Sequence, residues 1–271
     1  MKRLSRRVFG LGLLFFFFGC SDSPSVSEEC GEGSQNFAEC DTARVKQQEV
    51  RVNENKARTL ELLDDSVSYL YELSLIRGHL WVGHQLAKKG YQEHAIMHAK
   101  HPEDEIYSAL IEVFSGRGVE GFALELRRFF EAVESNNKEQ IDSRYQELVD
   151  SVHQSQTNIT ISTEELFRLI NRLVRQAAAE YAVGIIDGRV DNVHEYQDAL
   201  GFTEIALRWT RAHLRNNSLA ESELLSTNLL KQKLEKILVM WPDLVPSAEV
   251  PFDSSMLFGL SADIEIMILS L

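Results

Sequence analysis

The stretch AAAEYAVGIIDGRVDNVHEYQDALGF, residues 177–202, predicts two helices joined by a tight turn. Asp187-Gly188 is the turn signal, and the pairs Glu180-Tyr181 and Glu195-Tyr196 flank it. On an antiparallel hairpin, residues equally distant from the turn face one another, so Glu180 and Glu195 could converge. The carboxylate oxygens of Glu180 and Glu195 and the hydroxyl oxygen of Tyr196 are hard ligands, which suit ferric iron or another hard cation. The alternative is a polar-capped hairpin whose tyrosines serve only packing.

Helical patterning extends outward from this hairpin over most of the chain. Leu60, Leu63, Val67, Leu70 and Leu75 recur at helical spacing and predict a buried stripe on a helix that ends near Lys89. Turn signals delimit further helices at about 91–100, 102–115, 119–135, 138–155, 162–187, 192–216, 221–240 and 253–270. The sequence therefore predicts an all-α fold of antiparallel helical bundles with up-down connectivity. Residues 58–155 and 156–271 would form its two halves.

The N-terminus has the pattern of an exported lipoprotein. Four basic residues within 2–7 precede the apolar run Val8–Phe18 and then Gly19-Cys20, which resembles a lipobox. We expect residues 1–19 to be a signal peptide, Cys20 to carry lipid, and residues 20–57 to form a flexible tether and the start of the first helix. SRRVF at 5–9 leaves Sec and twin-arginine export both open. An ordinary signal peptide with a chance cysteine is the alternative.

The charge and the cysteines of the chain indicate where the protein is located and which classes of partner it can bind. The chain has a net charge of −13, and without the four signal-peptide cations the remaining 24 basic and 41 acidic residues give −17. Such a chain repels phosphate backbones, so we expect no nucleic-acid partner. Outside the cytoplasm Cys30 and Cys40 could form a disulfide, or remain free thiols. We expect a lipid-anchored protein on the periplasmic side of the envelope, with the outer membrane favoured because Ser21 rather than Asp follows Cys20.

Histidines cluster in the first half of the chain. His94, His98 and His101 are spaced i, i+4, i+7 and so share one helix face, and Glu105 lies shortly beyond. His79 is a better fourth candidate than His84, because Gly78 beside it allows a neighbouring helix to approach closely. Imidazoles one turn apart can bind one metal ion, whereas the alternative is a set of ordinary buried or surface histidines. No HExxH motif is present.

Two segments resemble known families. Residues 177–202 resemble a helical hairpin in the periplasmic extensions of bacterial high-affinity iron permeases, and RGHLWVGHQLAKKGYQEHAIMHAKHPEDEIYSAL (77–110) is similar to imelysin-like, iron-associated helical proteins. The resemblance implies an all-α bundle near iron or copper acquisition. It also implies metal-binding roles for His79, His101, Glu105, Glu180, Glu195 and Tyr196. The imelysin motif GxHxxE is not reproduced, because Asp104 stands three residues after His101.

Three functions follow as hypotheses. The first is a lipid-anchored protein that binds iron, or copper or zinc, and passes it to a metal-uptake permease without turnover. The second is an adaptor that binds another envelope protein, in which case the histidines would lie more than ~8 Å apart, too far for ligand bonds of about 2 Å. The third, an imelysin-like hydrolase, lacks any visible nucleophile and base, so we expect binding rather than catalysis.

Overall fold

The computed structural model describes the backbone of residues 37–246 and 249–271. The side chains of 37–44, 47, 104 and 105 lie outside the described part, and so do the predicted lipid site Cys20, the thiols of Cys30 and Cys40, and the Glu105 carboxylate. The chain divides into two units, residues 1–54 and 55–271. The first helix begins in the former and ends in the latter.

Helices dominate the described residues, as the sequence predicts. They are α1 (Phe37–Asp64), α2 (Ser66–Lys89), α3 (Gln92–Pro102), α4 (Ser108–Arg117), α5 (Ala123–Glu134), α6 (Lys138–Ser155), α7 (Thr163–Gly184), α8 (Val193–His213), α9 (Glu221–Ile237) and α10 (Ser255–Ile268). Within this part of the chain no helix combines the length and apolar character needed to cross a bilayer.

Local signals set the helix ends. The Asp65 carboxylate accepts hydrogen bonds from the backbone N–H groups of Val67 and Ser68 and so caps α2. Gly90 ends α2 in a left-handed conformation. Ser162 and Glu165 form a capping box that begins α7. Gly90 and Ser162 thus explain why the predicted end of α2 and the predicted start of α7 lie close to the observed ones. The single helix predicted to carry Leu60 through Leu75 is wrong, because the Asp65 cap divides it into α1 and α2.

The turn of the central hairpin differs from the prediction. Helix α7 ends at Gly184, and a short antiparallel pair, β1 (Ile185–Ile186) and β2 (Arg189–Val190), connects it to α8. Asp187 and Gly188 have φ values of 51° and 73°, as a tight β-hairpin turn requires. The expected direct helix–helix turn is therefore wrong, because the β-branched residues that flank Asp187-Gly188 favour strands.

Pro102 is the last residue of α3, but the helical path continues past it, contrary to the predicted break at His101-Pro102. It adopts helical angles (φ −59°, ψ −34°), and a π-helical turn, Glu103–Tyr107, leads directly into α4. Proline has no N–H for the carbonyl four residues earlier, and a widened turn accommodates that missing bond without breaking the helix.

The core of residues 55–271 is built on the α7–α8 hairpin. Helix α2 packs against both α7 and α8, α3 packs against α2, α9 against α8, and α10 against α7. Fully buried aromatic residues fill the space between these helices, among them Tyr69, Phe167, Tyr181, Tyr196 and Phe202. Helices from both predicted halves thus pack together, while the proposed boundary near residue 156 stays a prediction.

Candidate metal centre

Three side chains that could bind a metal ion converge where α2, α3 and α8 meet. Nδ1 of His79 lies 2.6 Å from Oδ1 of Asp198, and Nδ1 of His98 lies 3.1 Å from the same oxygen. One potential ligand atom from each residue lies within 4.8 Å of the other two. All three residues are buried, with 6%, 0% and 3% of their surfaces exposed.

Glycines bring the helices close enough for this convergence. A Cβ on Gly201 of α8 would lie 2.6 Å from the carbonyl oxygen of Gly78 on α2. Any larger residue at position 201 would push the helices apart. His79 follows Gly78 directly, and Asp198 lies one turn before Gly201. The close helix approach inferred from Gly78 is therefore present in the structure.

Gln197 fixes the orientation of the His98 ring. Its Nε2 donates to the carbonyl oxygen of Leu244 at 2.9 Å, so its Oε1 must be the atom that faces His98 Nε2 at 2.8 Å. An amide oxygen can only accept, and His98 Nε2 therefore carries the proton. The other ring nitrogen, Nδ1, faces Asp198 and is the atom that could bind a cation.

The contact between His98 and Asp198 places a ring nitrogen 3.1 Å from a carboxylate oxygen, outside the directions of an ordinary hydrogen bond. His98 Nδ1 and Asp198 Oδ1 are both buried, and neither has a partner at hydrogen-bond geometry. With a proton on Nδ1 this contact is an ion pair, and a cation bound by both atoms could take the place of that proton. An ion with ligand bonds of about 2.1 Å and angles near ~90° separates its ligand atoms by about 3.0 Å. The 3.1 Å separation of His98 from Asp198 fits such an ion, whereas the 2.6 Å contact of His79 would have to lengthen.

The electrostatics of Asp198 favour its ionised form. Burial alone would raise the pKa of this carboxyl, but the facing His79 and His98 imidazoles more than offset that effect. The net result is a pKa below the ordinary range. Asp198 therefore supplies a negative charge to the centre, which a bound cation would neutralise.

Three more histidines surround the buried group. The His101 ring centroid lies 5.9 Å from that of His79 and 6.3 Å from that of His98. His194 lies 5.7 Å from His98, and its Nε2 is 3.3 Å from Nδ1 of His94. Burial, followed by the neighbouring histidines, lowers the pKa of His194 to about 4. His194 therefore stays neutral at physiological pH and available as a ligand.

The predicted carboxylate pair comes together next to this group. Glu180 and Glu195 share a side-chain hydrogen bond, and Gln176 donates to Glu180 at 2.5 Å. Burial is the largest influence on Glu180 and raises the pKa of its carboxyl, and the charge of Asp198 acts in the same direction. A raised pKa favours a proton shared between the two glutamates.

Tyr196 and His84 have other partners. The Tyr196 hydroxyl donates to the carbonyl oxygen of Asp243 at 3.0 Å, and its ring packs near Tyr181 and Trp241. His84 stacks on Tyr145 at 4.0 Å, and its Nε2 lies 2.6 Å from Asp142. Neither is among the three convergent side chains.

Sequence reasoning missed Asp198, Gln197 and His194. All three lie within the hairpin segment 177–202, where attention went to the Glu-Tyr pairs. The available signal was the spacing of His194 and Asp198, four residues apart on a predicted helix and hence on one face. A carboxylate and a histidine one helical turn apart can bind the same metal ion.

Comparison with known proteins supports the link to iron. Residues 157–256 match the family model of the iron permease-associated 4-helix bundle domain, which confirms the resemblance to iron permease-associated domains. The match associates this part of the chain with iron uptake. No curated protein and no solved structure matches the chain. The matched segment contains Asp198 and Gln197, whereas His79 and His98 precede it.

Proposed function

We propose that the protein is a lipid-anchored periplasmic protein that binds a transition-metal ion, iron foremost, through His79, His98 and Asp198. The observation that carries the proposal is the buried convergence of two imidazole nitrogens on one carboxylate oxygen. The adaptor hypothesis expects scattered histidines, whereas these ligand atoms lie within 4.8 Å.

The donor set favours iron over harder cations. Two imidazoles and one carboxylate suit ferrous iron, with zinc and copper as competitors, and leave further coordination positions open. His101 lies close enough to contribute a further ligand after a small rearrangement. Glu105, predicted as a ligand, follows His101 in the π-helical turn. Glu180 and Glu195 supply negative charge and proton exchange beside the centre.

The proposed role is capture and transfer of the ion rather than turnover. The iron permease-associated domain makes a permease the expected partner. A lipid at Cys20, followed by the tether, would hold the domain at a membrane surface on the periplasmic side, within reach of such a permease. His94 and His194, both partly exposed, would form the outer end of a histidine path that leads to His98.

Metal titration tests the centre. We expect the protein to bind one ferrous ion per chain by anaerobic calorimetry, and His98→Ala and Asp198→Asn to abolish that tight binding. His213→Ala is the control, because His213 bonds Thr163 outside the cluster. Equal binding by the wild type and the His98→Ala variant would refute the assignment.

Processing tests the anchor separately. We expect Cys20 to be acylated when the full chain is expressed in a bacterium with lipoprotein processing, and Cys20→Ser to yield a protein released from the membrane fraction. Mass spectrometry of the N-terminal peptide distinguishes a lipidated cysteine from an ordinary cleaved terminus. A free thiol at an unmodified Cys20 would contradict the anchor and leave the metal proposal intact.

A further inference from the structure

A cleft of about 550 Å³ opens on a different face of α2 from the metal centre. Its lining includes four arginines, Arg77, Arg208, Arg211 and Arg215. Arg77 and His79 are two residues apart and therefore about 200° apart around α2. Arg208 lies ten residues beyond Asp198, about 15 Å along α8. The cleft and the metal centre are thus separate sites on shared helices.

The cleft concentrates positive charge on a strongly acidic protein. The whole chain carries a net charge of −13, because acidic residues outnumber basic ones. Four arginines around one cavity are therefore a local excess of positive charge. Carboxylates neutralise two of them: Arg208 pairs with Glu204 at 3.1 Å, and Arg211 with Glu235 at 3.0 Å. Among the residues that the structure describes, no carboxylate forms an ion pair with Arg77 or Arg215.

Aromatic and amide groups complete the lining. The Arg77 guanidinium lies 5.5 Å from the centroid of the Trp209 ring. The indole N–H of Trp209 donates to Ser74 at 2.8 Å and fixes that ring in place. Gln156 also lines the cleft, and its buried Nε2 has no hydrogen-bond acceptor in the structure. An amide donor and two guanidinium forks without carboxylate partners are therefore available to an acceptor-rich ligand.

We propose that this cleft binds a small organic polycarboxylate. Guanidinium forks bind carboxylates with two parallel charge-assisted hydrogen bonds, which accounts for the arginines. The volume lies within the range of sites for small organic ligands and exceeds what a single inorganic anion fills. Two uncompensated cations and one amide donor match an anion with at least two carboxylates. This inference does not depend on the metal centre.

Calorimetry with tricarballylate, a tricarboxylate, tests the proposal in metal-free buffer at low ionic strength. We expect one binding site per chain and an affinity that falls as salt is added. Arg77→Gln and Arg215→Gln should each weaken binding about tenfold or more, because each removes a charged hydrogen-bond donor. Arg215 is exposed, so its replacement leaves the packing intact even if Arg77→Gln does not fold.

Two controls make the result specific. Arg168→Gln removes an exposed arginine that pairs with Glu164 four residues away, outside the cleft, and should bind tricarballylate like the wild type. His98→Ala should also retain full binding, because it alters only the metal centre. Absence of binding by the wild type would overturn the proposal, as would equal affinity in the Arg215→Gln variant. If inorganic phosphate bound the cleft as tightly as tricarballylate does, the assignment of a polycarboxylate ligand would be wrong.

Discussion

At the residue scale, the chemistry of the centre depends on the tautomer of His98. The Gln197 amide accepts the Nε2 proton and so turns Nδ1 toward Asp198 as the nitrogen that could bind a cation. Gln197→Leu removes this acceptor while it keeps a similar volume. We expect metal affinity to fall by about 10–100-fold, the usual effect of losing a partner that orients a ligand. Calorimetric titration with ferrous ion measures the change.

Gln146→Leu is the matched control for Gln197→Leu. Gln146 is exposed and bonds only Asp150 within α6, so its replacement should leave metal affinity unchanged. If Gln197→Leu binds the ion as tightly as the control does, the amide does not select the tautomer and the proposed polarity of His98 is wrong.

The Asp65 cap gives a prediction with a defined pH dependence. Burial acts to raise the pKa of this carboxyl. Hydrogen bonds from Ser68 and Val67 lower the pKa by more than burial raises it, so the net shift is downward. Its stabilisation is therefore complete above the unfolded pKa of about 3.9 and disappears as the pH falls through the lower folded value. Asp65→Ala should cost about 1 kcal/mol of unfolding free energy at neutral pH.

Urea unfolding at two pH values checks this dependence. The difference between wild type and Asp65→Ala should shrink well below about pH 4, where the carboxylate becomes protonated. Asp65→Asn retains a capping oxygen and should lose less stability at neutral pH than Asp65→Ala. A difference that stays constant into strong acid would show that the carboxylate charge plays no part.

At the element scale, the sequence predicts helices well wherever a single residue type sets the boundary. Gly90 and Ser162 act through their own backbone or hydroxyl, so the end of α2 and the start of α7 follow from local sequence. Pro102 is different, because whether proline breaks a helix or widens it depends on the packing around it. The same holds for Gly184, where close contact with Tyr196 accompanies the end of α7.

The contact between α2 and α8 yields an element-scale prediction. Gly201→Ala places a Cβ 2.6 Å from the Gly78 carbonyl oxygen, so the helices must separate. We expect a loss of about 1–3 kcal/mol in unfolding free energy. Metal affinity should fall as well, because His79 and Asp198 lie on the two helices that move apart. Chemical denaturation and metal titration measure the two effects.

Gly259→Ala is the control for this overpacking. Gly259 lies within α10, and an added Cβ there meets nothing within 4 Å. Alanine is the better helix former, so this variant should be neutral or more stable by about 0.5–1 kcal/mol. If Gly201→Ala matched Gly259→Ala in unfolding free energy and in metal affinity, the close approach of α2 and α8 would not be needed for stability or for metal binding.

At the scale of the whole molecule, two of the three residues of the candidate centre, His79 and His98, could be predicted. The spacing of His94, His98 and His101 places them on one helix face. Gly78 favours His79 as a further ligand, because it allows a neighbouring helix to approach closely. Asp198 could not be paired with His98 in the same way, because 100 residues separate them and only the packing of α3 and α8 joins them. The arginine cleft was equally hidden, since its lining comes from α2, α6 and α8.

A bound ion should therefore stabilise residues 55–271 as a unit. The proposed ligands lie on α2, α3 and α8, which pack together only in the folded state. An ion that binds the folded chain alone, at a free concentration one hundred times its Kd, adds about 2.7 kcal/mol. For a unit of this size that corresponds to a rise of roughly 5–10 °C in the unfolding temperature.

Calorimetric melting with and without ferrous ion, under anaerobic conditions, tests this coupling. His98→Ala should abolish the rise, whereas His213→Ala should retain it, because His213 lies outside the cluster. Magnesium should produce no rise, since it prefers oxygen ligands and this centre offers two nitrogens. A rise that survives in His98→Ala would place the stabilising ion elsewhere in the molecule, and the histidine–aspartate group would then be a structural polar cluster.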